Sequence, residues 1–210
     1  MICLLILAVV VSGCQPFTDS PPSFTLEFPD AVDLGELWLR EDVNCFTCGT
    51  GEKTLGRAAG IRAISLPAAH WYVSVKLPRQ VAGRLKPLAH PSLVNIGDLD
   101  LHDSDVRDDD LRHIAGINLR SINLSGTRIT GAGFSYLTPH RKWIFVYLHG
   151  CDALDVSHLA RFRGWTRSTI SLVGYTFGLR YSDREQRLLD DARRIICDGQ
   201  PESVCGVQIR

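Results

Sequence analysis

Between residues 93 and 177 the chain sets short apolar–polar–apolar triplets among longer stretches of mixed polarity. The triplets are Leu99-Asp100-Leu101, Ile122-Asn123-Leu124, Val146-Tyr147-Leu148 and Ile170-Ser171-Leu172. Their last residues lie 23, 24 and 24 positions apart. Three residues beyond each anchor stand Ser104, Thr127, Cys151 and Tyr175; five beyond stand Val106, Ile129, Ala153 and Phe177. Alternation of this kind predicts short strands that bury one face. Leu111/Ile114, Phe134/Leu137 and Leu159/Phe162 then follow at i, i+3, the spacing of a short helix. One strand and one return cannot hide their apolar faces alone, so units of a fixed period are expected to stack.

Both flanks carry other patterns. Glu36-Leu37-Trp38-Leu39-Arg40, residues 61–66 and residues 71–77 alternate as strands do, with Trp71, Val73, Val75 and Leu77 on one face. Pro67 and Pro78 end the last two. Residues 34–91 are therefore expected to form a β-rich N-terminal cap, with at most a helical turn near residues 81–89, where Pro87 limits it. After the repeats, Ser182-Asp183-Arg184-Glu185 has the spacing of a capping box. Leu188, Leu189, Ala192, Ile195 and Ile196 form an apolar stripe, and Gly199 and Pro201 stop the helix. Residues 179–210 are expected to be a helical C-terminal cap, with residues 204–209 as a closing strand.

The segments Ser104-Asp105-Val106-Arg107-Asp108-Asp109-Asp110-Leu111 and Thr127-Arg128-Ile129-Thr130-Gly131-Ala132-Gly133-Phe134 resemble a bacterial leucine-rich-repeat variant reading T-x-[IV]-T-D-x-G-L. Cys151 is similar to the cysteine that some variants place at the turn. The resemblance covers about 85 residues, within residues 92–178. It implies an α/β fold: a short leucine-rich-repeat solenoid of parallel strands with helical returns between two caps. It also implies protein binding, although a fold alone never fixes function.

At the amino terminus an apolar run, residues 2–11, precedes Ser12, Gly13 and Cys14. Such a run before small residues reads as an export signal. Val11-Ser12-Gly13-Cys14 resembles the lipobox of bacterial lipoproteins, although no Lys or Arg precedes the run. That resemblance implies a signal peptide over residues 1–13, a lipidated Cys14 and a membrane-anchored protein of the cell envelope. Gln15 rather than Asp after the cysteine favours the outer membrane. Residues 14–33 contain Pro16, Pro21, Pro22 and Pro29, and are expected to be an extended tether.

Lys plus Arg is 23 and Asp plus Glu is 23, so no net basic field exists to hold nucleic acid. No cofactor, metal site or small-molecule substrate is evident. Seven cysteines are present. Exported proteins keep disulfides, and Cys45/Cys48 and Cys197/Cys205 are local candidates. Redox use of Cys45 and Cys48 is the alternative, but Gly49-Thr50-Gly51 is a poor helix start. A four-cysteine zinc site would require the two ends of the body to meet.

In the predicted register the residues beside the buried anchors share one face. Asp98, Ser121, Phe145 and Thr169 make one row; Asp100, Asn123, Tyr147 and Ser171 the next; His102, Ser125, His149 and Val173 the third. Exposed aromatics are common interface anchors. Asp100, His102, Asn123, Phe145, Tyr147 and His149 are therefore the expected partner-binding face. Ser125 between two histidines has the composition of a nucleophilic triad, but no nucleophile elbow surrounds it. The aspartates of residues 98–110 lack the Gly and Glu positions of a calcium loop. The sequence thus points to a non-catalytic protein that binds another macromolecule, with a structural module of an envelope assembly as a second reading.

Overall fold

The structure is a computed structural model that describes residues 23–28, 34–41, 52–67, 71–137, 145–165, 168–173, 181–198, 200–201, 205 and 207–209. The signal peptide, Cys14, Cys45 and Cys48 lie outside the described residues.

Ten strands and one α-helix are described: β1 Ser23–Phe28, β2 Glu36–Glu41, β3 Glu52–Arg57, β4 Gly60–Ser65, β5 Trp71–Lys76, β6 Ile96–Asp100, β7 Ser121–Asn123, β8 Phe145–Tyr147, β9 Ser168–Ser171, α1 Asp183–Cys197 and β10 Val207–Ile209. Eight of them make one sheet in the order β10-β9-β8-β7-β6-β5-β2-β3, and β1 pairs with β4 in a separate ribbon. Strands β5 to β10 run parallel; β2 is antiparallel to both β3 and β5.

This corrects the expected fold class. A short leucine-rich-repeat solenoid between two separate caps is not what forms. The strands of the 23–24-residue period, β6 to β9, lie inside the parallel run β5 to β10 of one mixed eight-stranded sheet. Strands β2, β3 and β5, expected in a distinct N-terminal cap, extend that same sheet through the β5–β6 pair. The returns at Asp108–Ile114, Ala132–Tyr136 and Val156–Phe162 are 3-10 helices. At five to seven residues these returns are short, the length at which 3-10 turns serve as connectors, and their apolar pairs at i, i+3 share one face in either helix type. The tether needs correcting as well. Residues 23–28, inside it, are strand β1, with Leu26 and Phe28 buried against the core. Pro21, Pro22 and Pro29 flank that strand without interrupting it.

Side-chain alternation sorts the sheet into two faces. Leu37, Val75, Leu99, Ile122, Val146 and Ile170 point inward and are fully buried. Leu101, Leu124, Leu148 and Leu172 follow as a second buried file at the strand ends. The 3-10 returns cover these files. Phe134 and Phe162 pack there with tilted rings, centroids 5.1 Å apart, and Trp165 meets Phe162 edge-on at 4.8 Å. Helix α1 packs on the last return, with Leu189, Ala192 and Ile196 buried. Ser182 caps it: the Glu185 N–H donates to Ser182 Oγ, and the Ser182 N–H donates to Glu185 Oε2 at 2.7 Å. A Cys197–Cys205 disulfide ties the helix end to the segment before β10.

The acidic run between residues 98 and 110 is largely spent on the backbone. Asp105 Oδ1 accepts the N–H groups of Val81 and Ala82 at 2.6 and 2.8 Å. Asp110 accepts those of Gly83 and Arg107. Asp108 accepts from the N–H groups of Thr130, Gly131 and Gly133 and from the Thr130 hydroxyl, all at 2.9–3.0 Å. Asp108 thus staples the first return to the second, while Asp105 and Asp110 hold the turn at residues 81–83 against the first. Gly131 and Gly133 are needed for this contact. Gly131 has φ +98°, and a Cβ on Gly133 would lie 2.5 Å from the Asp108 carbonyl oxygen. Partial burial raises the Asp108 pKa, but the donated hydrogen bonds outweigh it and hold the carboxyl below its usual range.

A folded-state value below the unfolded one gives stabilisation that is complete above about pH 4 and lost as pH falls through the folded value. Asp108→Ala leaves three N–H groups without their acceptor and is expected to cost about 2 kcal/mol at neutral pH. Urea denaturation at pH 7 and in acid checks this. The gap between wild type and variant should shrink in acid; a gap that is absent, or unchanged by pH, contradicts it.

Candidate functional site

Among the described residues the other face of the sheet is the more open one: Asp100, Asn123, Phe145, Tyr147 and Thr169 are half-buried there, while Ser74, Asp98 and Ser171 are buried. Pairing places Trp38, Ser74, Asp98, Ser121, Phe145 and Thr169 in one row across it. Glu36, Lys76, Asp100, Asn123, Tyr147 and Ser171 make the next. Beyond that row the chain turns, presenting His102, Ser125 and His149 at the carboxyl ends of β6, β7 and β8. These ends of parallel strands are where open α/β sheets commonly bind ligands.

Two adjoining grooves run along them. His102, Asp103, Asn123, Ser125, Tyr147 and His149 line one of about 420 Å3. Asp100 lines the other, of about 400 Å3, which shares His102, Asp103 and Asn123. The structure therefore gathers Asp100, His102, Asn123, Tyr147 and His149 at the strand ends. Phe145 stands one row away, level with Ser121 and Thr169, and lines neither groove.

The groove walls are fixed by short hydrogen bonds. Asp100 Oδ1 accepts the His102 N–H, and Asn123 Oδ1 accepts the Ser125 N–H, both at 3.1 Å. His149 Nε2 lies 2.7 Å from Ser171 Oγ, and the His149 ring meets Tyr147 edge-on, with centroids 6.0 Å apart. Burial, and then the charge of His102, push the His149 pKa down, so its ring is neutral at neutral pH. The His102 ring instead lies against Asp103, 3.3 Å from Nε2 to Oδ2. Ser125 Oγ accepts the backbone N–H of His149 at 3.2 Å, while the His149 ring pairs with Ser171. The geometry therefore couples Ser171, not Ser125, to that imidazole.

A second cluster on the same face escaped the sequence reading. Asp98, 3% exposed, accepts from Ser74 Oγ at 2.5 Å and from Arg40 Nη1 at 3.2 Å. Arg40 Nε lies 3.2 Å from Glu52. Trp38 Nε1, in the same row, is buried with no hydrogen-bond partner among the described residues. The Arg120 guanidinium sits 5.6 Å above the Tyr72 ring. Burial raises the Asp98 carboxyl despite the Ser74 bond and the Arg40 charge. Nothing local announces this cluster, because Ser74 and Arg40 lie 24 and 58 residues from Asp98.

Cys151 is half-buried, and its thiol donates to the Leu124 carbonyl at 3.1 Å. Burial pushes its pKa up, which makes it a poor nucleophile at neutral pH. Among the described residues no group of three His, Cys, Asp or Glu side chains is placed to hold a metal ion. No described helix is long and apolar enough to cross a membrane.

Asp98 makes a signed prediction. Its folded-state value lies above the unfolded one, so ionisation costs stability as pH rises between the two. Asp98→Asn keeps an acceptor for Ser74 and removes that cost. Its stability relative to wild type should therefore rise between pH 4 and pH 8 in chemical denaturation; a relative stability that falls over this range contradicts the assignment. Comparison of the chain with protein-family models found no match, and comparison with curated proteins found none either.

Proposed function

We propose that this chain is a non-catalytic binding protein of the bacterial cell envelope, held at a membrane by lipid on Cys14. It presents the open face of its mixed sheet to another macromolecule, for which a protein is the expected class. The observation that carries this reading is the constrained Tyr147 ring, lining one groove at the strand ends with the Phe145 ring one row behind it. Aromatic side chains held in place supply contact area at little entropic cost, as interface anchors do. The face combines them with polar groups that supply orientation, and its grooves are wide and shallow, unlike an enclosed reaction chamber. The lipid reading rests on the sequence around Cys14 alone.

The test uses the full chain in its native envelope, crosslinked to its neighbour. Phe145→Ala combined with Tyr147→Ala should weaken capture of the species bound by wild type about 30-fold, the loss of one interface hot spot. Unaltered melting behaviour is the control for folding. Cys14→Ser should move the chain from the membrane fraction to the soluble fraction. Equal capture by the double variant rejects the face, and continued acylation or membrane retention of Cys14→Ser rejects the anchor.

A further inference from the structure

We infer that the strand-end groove around Tyr147 binds an uncharged oligosaccharide segment. This inference rests on the reading of the open face as a binding surface and gives one part of it a specific chemistry. Three observations carry it.

The first is lining chemistry. His102, Asp103, Asn123, Ser125, Tyr147 and His149 include no aliphatic side chain, and Gly126 and Gly150 complete the wall. Leu77 and Pro78 line only the adjoining groove, so beside Tyr147 an apolar peptide side chain meets no aliphatic wall. A ligand that seats well must offer hydroxyl or amide groups to an amide, a carboxylate and imidazoles, and C–H faces to one aromatic ring.

The second is charge. Across the two joined grooves Glu36, Asp100 and Asp103 stand against Arg57, Lys76 and Arg79. Asp103 is already paired with Arg79 at 3.5 Å and with His102 at 3.3 Å. Among the described lining residues the charges balance, three against three, which favours a ligand without net charge.

The third is preorganisation and reach. Ser171, 5% exposed, fixes the His149 ring, which fixes the Tyr147 ring edge-on. Asx-type bonds fix Asp100 and Asn123. A ring and an amide held in place before binding reduce the ordering cost that weakens most sugar contacts. From the strand of Lys76 to that of Tyr147 is three strand spacings, about 14 Å. That length suits a short run of sugar rings, not one.

The test is saturation-transfer NMR on the detergent-solubilised full chain, with the trimers of glucose, mannose and N-acetylglucosamine as separate probes. At least one trimer should receive saturation, strongest on its ring C–H protons. Tyr147→Ala and Asn123→Ala should each weaken its binding about tenfold, roughly one good contact. Tyr147→Phe keeps the ring and should bind within a few-fold of wild type, which separates a lost contact from a lost fold. Transfer to none of the three trimers overturns the inference, as does equal binding by Tyr147→Ala. If the trimers fail while Phe145-dependent protein capture persists, only this inference falls. If both fail, the reading of the open face falls with it.

Discussion

Everything in this molecule depends on one sheet burying one of its two faces. Period-two alternation sends Leu37, Val75, Leu99, Ile122, Val146 and Ile170 to the same side across strands of both orientations. The 3-10 returns and α1 close over that side. No single strand of three to six residues could hold its backbone partners without this shared cover. The carboxylate staples serve the same end: Asp108 ties the first return to the second, and Asp105 and Asp110 hold residues 81–83 against the first. Because the apolar side is fully occupied, the opposite side is left to carry polar and aromatic groups in ordered rows.

The junction between the antiparallel and parallel parts of the sheet is the second constraint. Strand β5 is antiparallel to β2 and parallel to β6. Asp98, Ser74 and Arg40 cross that junction on the open side, one from each of β6, β5 and β2. A buried carboxylate there is an expensive way to join three strands, since its desolvation is only partly offset by its partners. Gly97 belongs to the same junction: a Cβ on it would lie 2.9 Å from the Tyr72 Cβ, so Tyr72 packs directly over its backbone.

Part of this was legible in the sequence. Alternation in Leu99-Asp100-Leu101 and its counterparts identifies which side chains face inward, because the side-chain direction of a strand is fixed by its pleat. The three rows of open-face residues follow from the same period. What alternation does not encode is which strand pairs with which. Trp71–Lys76 reads as strand-like in isolation, and only the folded chain shows it hydrogen-bonded to Ile96–Asp100 in a common sheet. That is why a bounded solenoid was expected and a mixed sheet forms. Apolar pairs at i, i+3 fit α and 3-10 helices alike, so the returns were legible as helical but not as 3-10. Strand β1 was masked by its prolines, although Phe24, Leu26 and Phe28 alternate. The Asp98 cluster was illegible because its members meet only through long-range pairing. For the strand-end site, the residue types were visible, and the bond that orients His149 through Ser171 was not.

If the open face is a binding surface, it is occupied in its native setting. Hydroxyl-radical footprinting measures this directly, by comparing oxidation of Phe145 and Tyr147 in intact envelopes with that in the purified chain. Both rings should be strongly protected in the envelope, with Tyr136, 38% exposed on the far side, as an unprotected reference. Equal oxidation of Phe145 and Tyr147 in the two preparations would contradict it.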